Sequence, residues 1–293
     1  MSDELYLKSC PVCDCNKVAP VRGYEEVYLH RCERCGFHFS NRIATPEELK
    51  IHYAKYSRSD WISPITLLRY QELLGYFEKY RRINTILDVG CGNGHFLKVA
   101  LERGWKVYGI EYDEKAVQMC KNKDVPCHLG SILDFEAETQ YDVITFFEVI
   151  EHLFYPKEHI QKAYRLLRHK GAIYITTPNL HSLSGYIVGK EIHDFFCYPE
   201  HVCYFTPYTL HRMLTEVGFH KVYMKTTGID IFYIRNRLAK NKGLDSQSIR
   251  KERENFRHII SHNQLGKLAY RGINWILTIT RLGDTIKALY VKK

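Results

Sequence analysis

Three glycines at alternate positions, between a strand pattern and a helix pattern, constrain this chain more than any other feature. They lie in the segment Leu87-Asp88-Val89-Gly90-Cys91-Gly92-Asn93-Gly94-His95, which follows an apolar run and opens a helical pattern. Glycine backbones turn tightly and let a ligand approach where a Cβ atom would clash. In this context the spacing predicts a ligand-binding turn between strand and helix; a tight turn without a ligand is the simpler alternative.

Two acidic residues indicate which ligand the glycines would bind. Asp88 lies two positions before Gly90, and Glu111 ends the next predicted strand, 21 residues after that glycine. A carboxylate there can accept hydrogen bonds from both ribose hydroxyls of an adenosine cofactor. A nicotinamide dinucleotide favours G-x-G-x-x-G, because its pyrophosphate sits on the helix N-terminus. The observed G-x-G-x-G with Asp88 suits S-adenosylmethionine instead, which carries an ammonium and a sulfonium and no phosphate.

Strand and helix patterns alternate from residue 83 onward. Seven apolar runs predict strands: Thr85–Val89, Lys106–Glu111, Cys127–Leu129, Tyr141–Phe147, Ala172–Thr176, Val222–Thr226 and Ile286–Val291. Helical spacing and cap residues predict helices between them, including Pro156–Arg168 and one from Pro207 to Gly218. This alternation predicts an α/β fold with a mostly parallel sheet covered by helices on both faces.

The glycine segment, both acids and the alternation resemble the class I S-adenosylmethionine-dependent methyltransferases, over about residues 83–234 and the last strand. The resemblance implies a Rossmann-like, seven-stranded sheet whose last strand is antiparallel, and S-adenosylhomocysteine as product. It also implies a role for each matching position. The cofactor loop would comprise Asp88, Gly90, Gly92 and Gly94, with Glu111 on the ribose, Tyr112 along the adenine, Ser131 and Ile132 flanking the base, and Phe147 and Glu148 on the methionine side.

The segment Glu148-Val149-Ile150-Glu151-His152-Leu153 directly follows the fourth predicted strand. Ligands of open α/β sheets bind beyond the carboxyl ends of the strands, so this segment should face the cofactor. It resembles the matching segment of small-molecule O-methyltransferases of the ubiquinone-biosynthesis type. His152 is a candidate general base, because a histidine titrates near neutral pH. Capping the segment or ordering the cofactor is the alternative role.

Residues 181–205 form a long segment with little regular pattern, and such a loop in a compact domain is usually functional. We predict a substrate loop here. Its stretch from Pro199 to Pro207 resembles a segment of bacterial methyltransferases that have an N-terminal zinc-binding region. His201 in this stretch is the second candidate base, although it could equally be a packed loop residue.

Four cysteines near the N-terminus have the spacing of a zinc ribbon. Cys10 and Cys13 form one C-x-x-C pair. After a spacer of 18 residues, Cys32 and Cys35 form a second pair. Each pair places two thiolates on one turn, and two turns complete a tetrahedron around a structural Zn²⁺. A redox-active pair is the alternative. Residues 1–45 carry no net charge, so we expect them to pack on the catalytic domain, after a helical linker over 46–82, and to frame the substrate pocket.

The positive charge of the chain is concentrated late in the sequence. Residues 235–281 hold eleven Lys and Arg against three Asp and Glu, which is most of the net charge of +9. Apolar residues at helical spacing from Leu265 to Ile279 predict a basic helical insertion over 236–282. The helix would pack on the domain or on a second subunit, or lie weakly on a membrane surface. The charge would suit a diphosphate or an RNA backbone.

The sequence shows neither a secretion signal nor an apolar stretch near the roughly 20 residues of a membrane helix. With ten cysteines and no signal peptide, we expect a cytoplasmic protein rather than a disulfide framework.

The function predicted from the sequence is methyl transfer from S-adenosylmethionine to a small-molecule acceptor. The acceptor is expected to be a sugar or nucleotide sugar, methylated on oxygen, as in the surface-polysaccharide pathways of many zinc-binding relatives. The motifs for methylating amino groups of nucleobases or C5 of pyrimidines are absent after the fourth strand. An RNA methyltransferase that uses the basic insertion remains an alternative, as does a catalytically silent binding protein.

Overall fold

The computed structural model describes residues 5–54, 60–189, 195–231, 234–235 and 264–293. Its strands are β1 (Val18–Pro20), β2 (Leu29–Cys32), β3 (His38–Ser40), β4 (Thr85–Val89), β5 (Lys106–Glu111), β6 (Cys127–Leu129), β7 (Tyr141–Phe147), β8 (Leu167–Pro178), β9 (Cys203–Tyr204), β10 (Phe219–Thr227) and β11 (Thr285–Lys292). Its α-helices are α1 (Pro46–Ala54), α2 (Pro64–Phe77), α3 (His95–Glu102), α4 (Glu114–Lys121), α5 (Pro156–Leu166), α6 (Leu183–Val188), α7 (Pro207–Val217) and α8 (Gln264–Thr280).

Seven strands form the main sheet, in the order β10-β11-β8-β7-β4-β5-β6. The strands from β8 through β6 pair in parallel, whereas β11 is antiparallel to both β8 and β10. Parallel pairing requires crossover segments, and the helices between the strands supply them. The predicted α/β fold, with seven strands and an antiparallel last strand, is confirmed.

Two hydrophobic cores lie on opposite faces of this sheet, because successive side chains of a strand point to opposite sides. In β4, Ile86 packs with α2 and α3, whereas its neighbour Leu87 packs with α5 and α7. All five residues of β4 are buried, as expected for a central parallel strand covered on both faces. The glycine turn therefore starts from the most rigid part of the fold.

A second sheet has the order β1-β2-β3-β9 and joins the N-terminal segment to residues 203–204. The first three strands belong to the cysteine-rich N-terminal segment, whereas β9 comes from the predicted substrate loop and pairs antiparallel with β3. Phe37 and Phe39 of the N-terminal segment share a core with Phe205 and Leu210. The N-terminal segment thus packs on the large sheet through both backbone hydrogen bonds and apolar side chains.

Local differences from the sequence prediction have clear physical causes. The helix predicted over Pro156–Arg168 ends at Leu166, where β8 begins immediately. β8 runs for 12 residues because both β7 and β11 pair with it. The predicted substrate loop is also more regular than expected, since α6 and β9 lie within it. Strand β9 has only two residues, and no local pattern could indicate a strand that depends on a partner more than 160 residues away.

The basic insertion is described only in part, because residues 236–263 lie outside the described part of the chain. Helix α8 packs on β10 through buried Leu277 and through Asn274, whose Oδ1 accepts a hydrogen bond from the N–H of Gly228 at 2.8 Å. Much of the predicted apolar stripe is instead exposed: Leu268, Trp275, Ile276 and Ile279. These four side chains do not pack on the domain, and contact with a second subunit or with a membrane surface stays a prediction. In the described ranges, every helix is too short or too polar to cross a membrane.

Candidate active site

The glycine turn after β4 has the backbone conformation that only glycine adopts readily. Gly90, Gly92 and Gly94 have φ angles of +70°, +54° and +75°, in the region that β-carbons disfavour. A Cβ atom on Gly90 would lie 2.4 Å from Cγ2 of Val149. The turn is therefore in contact with the segment after β7, which brings two predicted functional segments side by side.

Glu111 lies at the end of β5 and holds the turn from the neighbouring strand. Its Oε2 accepts a hydrogen bond from the N–H of Gly92 at 2.8 Å, and its Oε1 accepts from the N–H groups of Tyr112 and Asp113 at 2.9 and 3.1 Å. Its carboxylate is thus fixed beside the turn, where a ribose bound at the carboxyl edge of the sheet could reach it.

Asp88 lies beneath the turn rather than in the open. Its side chain is 2% exposed, and the hydroxyl of Thr145 donates a hydrogen bond to its Oδ1 at 2.6 Å. Burial raises the pKa of Asp88 to about 8, and the nearby charge of Glu111 acts in the same direction. A cation bound near the turn would favour the ionised form and lower this pKa again.

The remaining adenosine-side candidates occupy different environments. Tyr112 is 69% exposed, which leaves its ring free to lie along a bound base. Ser131 is buried and accepts a hydrogen bond from the N–H of Leu133 at 3.1 Å. Ile132 is also buried and packs in the core with Val89 and Ile110, so it lies behind the site rather than at its surface.

The two candidates at the end of β7 lie next to the turn. Phe147 packs edge-on against Phe96, with ring centroids 4.9 Å apart, and also contacts Tyr70 of α2. Glu148 has a φ of +52°, and a non-glycine residue in this region is often part of a functional site. Removal of its carboxyl group from water raises the pKa of Glu148, whereas a hydrogen bond with Thr176 and the charge of Lys287 act to lower it.

His152 and His201 lie together although 49 positions separate them in the chain. Their rings meet edge to face with centroids 4.9 Å apart. Nδ1 of His152 lies 2.7 Å from the carbonyl oxygen of Glu200, and Nδ1 of His201 lies 2.9 Å from that of Phe195. Because a carbonyl oxygen can only accept, each of these Nδ1 atoms carries a proton.

Glu151 completes this cluster from below. It is 2% exposed, its Oε1 lies 4.0 Å from Nε2 of His152, and its Oε2 accepts a hydrogen bond from the hydroxyl of Thr177 at 3.0 Å. Burial raises the pKa of Glu151 well above its usual range, and the charge of Glu148 adds to this. Burial lowers the pKa of His152 to about 4, which leaves its imidazole neutral at physiological pH.

One carboxylate oxygen and two imidazole nitrogens of Glu151, His152 and His201 lie within 4.8 Å of one another. This donor set also suits a divalent cation, since imidazole nitrogens and carboxylate oxygens are common ligands of such ions. The same atoms can therefore act in two ways, as a proton acceptor for a hydroxyl or as ligands of a cation that binds one.

A pocket of about 240 Å³ lies between the N-terminal sheet and the large sheet. Tyr24 and His38 of the N-terminal segment line it together with Asn179 after β8 and with Phe195 and Phe196 of the substrate loop. Nδ1 of His38 is buried without a hydrogen-bond partner. Since Phe195 also binds His201 through its carbonyl group, the pocket adjoins the histidine cluster. It offers aromatic faces with a few polar groups, as small-molecule sites do.

Comparison with known proteins identifies the family of this chain. A family model described as a methyltransferase domain matches residues 53–224, which is more than half of the chain. The chain belongs to this methyltransferase family. It is a member of the class I S-adenosylmethionine-dependent methyltransferases.

Curated relatives of this methyltransferase include ubiquinone biosynthesis O-methyltransferases. The protein of that name from Nitrosomonas europaea is 30% identical over 44% of this chain and 58% of its own length. The one from Coxiella burnetii, strain Dugway 5J108-111, is 25% identical over 60% of this chain and 89% of its own length. The chain thus spans little more than half the length of the first of these relatives.

Solved structures share the fold of the methyltransferase at low sequence identity. A SAM-dependent methyltransferase from Archaeoglobus fulgidus superposes with a TM-score of 0.54 and 20% identity, over 83% of this chain and 99% of its own. Phosphoethanolamine N-methyltransferase 2 from Haemonchus contortus, in complex with S-adenosyl-L-methionine, superposes with a TM-score of 0.53 and 16% identity, over 85% and 57%.

The four N-terminal cysteines converge in this methyltransferase. Sγ of Cys10 lies 3.6 Å from Sγ of Cys35, and Sγ of Cys13 lies 3.6 Å from Sγ of Cys32. All four are buried and lie within 4.8 Å of one another. Four sulfurs about 2.3 Å from a central ion lie just under 4 Å apart, so the donor set fits a tetrahedral zinc ion.

Sequence reasoning missed two contributors to this site. Glu151 was visible in the Glu-x-x-Glu-His segment, but only its burial beside His152 indicates a role. His38 carries no sequence signal, since it stands on a short strand far from every motif. Only the pairing of β3 with β9 brings it to the pocket.

Proposed function

We propose that this methyltransferase transfers the methyl group of S-adenosylmethionine to a hydroxyl group of a small-molecule acceptor. The observation that supports it most is that His152 and His201 lie together beside the buried Glu151, next to the turn after β4. Methyl transfer needs the acceptor oxygen in line with the sulfonium methyl group and, for a hydroxyl, removal of a proton. A neutral amine would need no such cluster of acceptors.

The cofactor would bind at the turn in the manner expected from the sequence. Glu111 would meet the ribose, Asp88 would offset the positive charge from beneath the turn, and Phe147 and Glu148 would lie beside the methionine part. Tyr112 would cover the adenine. These assignments are supported by the position of all five residues at the carboxyl ends of β4, β5 and β7.

Proton removal would fall to His152 or His201. Burial lowers the pKa of His152 to about 4, so this imidazole is neutral and able to accept a proton. A divalent cation, if bound by Glu151 and the two imidazoles, would lower the pKa of the acceptor hydroxyl. In either case Thr177 and the backbone carbonyls orient the groups that act.

We further propose a sugar or nucleotide sugar as the acceptor, bound in the pocket between the two sheets. The flat aromatic faces of Tyr24, Phe195 and Phe196 suit the apolar face of a sugar ring, and Nδ1 of His38 offers a polar contact. A phenolic ring is the second candidate, because the same faces suit it and curated relatives are named ubiquinone biosynthesis O-methyltransferases.

A structural zinc ion on Cys10, Cys13, Cys32 and Cys35 belongs to this proposal. So does the division of the chain into a zinc ribbon (1–45), a helical linker (46–82) and a methyltransferase domain (83–293). The support is the geometry of the four sulfurs and the packing of the N-terminal sheet on the substrate loop. The ribbon would shape the acceptor pocket rather than take part in the chemistry.

The experiment is a transfer assay with three acceptor classes: nucleotide sugars, catechols and total RNA. We expect S-adenosylhomocysteine to form with a nucleotide sugar, and no product when His201→Ala and His152→Ala are combined. Turnover on a catechol alone would favour the phenolic candidate. Turnover on RNA, with binding that weakens steeply as salt rises, would replace the small-molecule proposal with the RNA alternative.

A further inference from the structure

A cluster of three cysteines lies beneath the cofactor turn and has no part in the proposed reaction. Cys91 belongs to the turn after β4, Cys120 to α4, and Cys127 begins β6. Sγ of Cys91 lies 3.8 Å from Sγ of Cys120 and 3.6 Å from Sγ of Cys127. All three sulfurs lie within 4.8 Å of one another, so one small ion could touch all of them.

The spacing of these sulfurs matches that of the N-terminal cysteines. There the closest pairs are 3.6 Å apart, compared with 3.6 and 3.8 Å here. Thiolates about 2.3 Å from a shared ion must lie just under 4 Å apart. A disulfide would use only two of the three sulfurs, whereas an ion uses all three that converge.

The surrounding backbone leaves room for the three sulfurs. A Cβ atom on Gly94 would lie 2.9 Å from Sγ of Cys120, and one on Gly109 would lie 2.6 Å from Sγ of Cys91. Both contacts are closer than a carbon and a sulfur tolerate, so only glycine fits at these two positions. Cys91 and Cys120 are buried, whereas Cys127 is partly exposed and gives an ion a route from solvent.

We propose that Cys91, Cys120 and Cys127 form a second metal site, for a thiophilic cation such as Zn²⁺, Cd²⁺ or Cu⁺. Three thiolates favour soft or borderline ions over Mg²⁺ and Ca²⁺, which prefer oxygen. Binding would release the thiol protons and leave a net negative three-sulfur site. The ion would tie the cofactor turn to α4 and β6. This site requires neither methyl transfer nor the proposed acceptor.

The test is a titration of the full-length, reduced protein with Cd²⁺. The readout is the charge-transfer absorption between thiolate and cadmium. Because only sulfur ligands give this band, binding at Glu151 and the histidines would not contribute. For the wild type we expect two ions and an absorption that corresponds to seven thiolates. Cys127→Ser should lose the three-thiolate part of the absorption and keep the four-thiolate part. Cys13→Ser should show the reverse. Cys197→Ser, which removes a thiol outside both clusters, should behave as the wild type.

Two results would overturn the proposal. One is an absorption from only four thiolates in the wild type. The other is an unchanged titration in Cys127→Ser and in Cys120→Ser. X-ray absorption at cadmium in the loaded wild type measures the mean number of sulfur neighbours without any variant, so unfolding of the variants would not prevent the test. With two equivalents of cadmium, which fill the thiolate sites first, we expect a mean between three and four sulfur neighbours. A value of four with one bound ion would also contradict the second site.

Discussion

At the scale of single residues, the buried acids of this methyltransferase fall into two kinds. Asp142 has its charge fully compensated, since Arg168 pairs with it and four successive backbone N–H groups, from Arg82 to Thr85, donate to its Oδ2. Asp88 and Glu151 each receive one hydroxyl hydrogen bond. Acids left short of partners are costly to ionise, which is typical of groups awaiting a ligand.

Asp88 should make the stability of the cofactor-free protein fall as pH rises. Its pKa is about 8 when folded, against 3.8 as its ordinary value. The folded state therefore holds the proton more tightly, and this contribution to stability is lost between about pH 4 and pH 8. The expected loss is on the order of 1 kcal/mol per pH unit. Asp88→Asn should lack this slope in denaturant unfolding between pH 6 and pH 8.

The same substitution should weaken cofactor binding, because an amide cannot offset the cofactor's positive charge. We expect S-adenosylmethionine to bind Asp88→Asn at least about tenfold more weakly, and Glu111→Ala to show a similar loss, as isothermal titration calorimetry would measure. Asp142→Asn is a poor control, since it removes a structural ion pair. Asp134→Asn is the preferable control. Wild-type affinity in both Asp88→Asn and Glu111→Ala would contradict the assigned cofactor site.

Glu151 and His201 should affect turnover rather than cofactor affinity. Loss of a group that accepts a proton or orients the acceptor costs about 10²-fold or more in kcat. We therefore expect Glu151→Gln and His201→Ala to lower kcat by about 10²-fold while S-adenosylhomocysteine binds normally. The matched controls are Glu216→Gln and His211→Ala, both on α7 and outside the site. A kcat within twofold of wild type would exclude either residue from the reaction.

At the scale of elements, strand β9 is the short link that assembles the site. It follows Val202, whose N–H donates to the carbonyl oxygen of Glu151 at 2.8 Å and so places the neighbouring His201 beside His152. Strand β9 itself pairs with β3, which also carries His38. A two-residue strand held on both sides thus fixes residues from three distant parts of the chain.

Tyr24 should contribute to acceptor binding although it belongs to the N-terminal segment. Its ring packs on Phe196 with centroids 4.7 Å apart, and both line the pocket. We expect Tyr24→Ala to raise the KM for the acceptor by about tenfold, since a buried aromatic contact contributes about 1 kcal/mol or more. The kcat and the cofactor affinity should stay unchanged. Tyr6→Ala, in the same segment but outside the pocket, is the control.

At the scale of the whole molecule, the four N-terminal cysteines should stabilise more than the segment that contains them. Their side chains share a core with Phe205 and Leu210 of the methyltransferase domain. A small domain with few apolar residues depends strongly on its metal, so loss of zinc should unfold the N-terminal segment. The unpaired β9 would then no longer fix His201.

Metal removal should therefore separate catalysis from cofactor binding. We expect the chelated protein, and Cys13→Ser, to lose turnover and to melt at lower temperature, whereas S-adenosylhomocysteine still binds at the turn after β4. Turnover and thermal unfolding, measured before and after readdition of zinc, check this. Full activity of a protein shown to contain no zinc would refute the structural role.

The sequence alone determined the α/β class, the glycine turn and the convergence of the four N-terminal cysteines. These features depend on local rules: glycine conformations, apolar periodicity and the reach of C-x-x-C turns. Only the tertiary structure revealed the pairing of β9 with β3, the burial of Glu151 beside two histidines and the meeting of Cys91, Cys120 and Cys127. Each joins residues far apart in the chain, and such contacts arise from packing around both faces of the sheet, which no local pattern encodes.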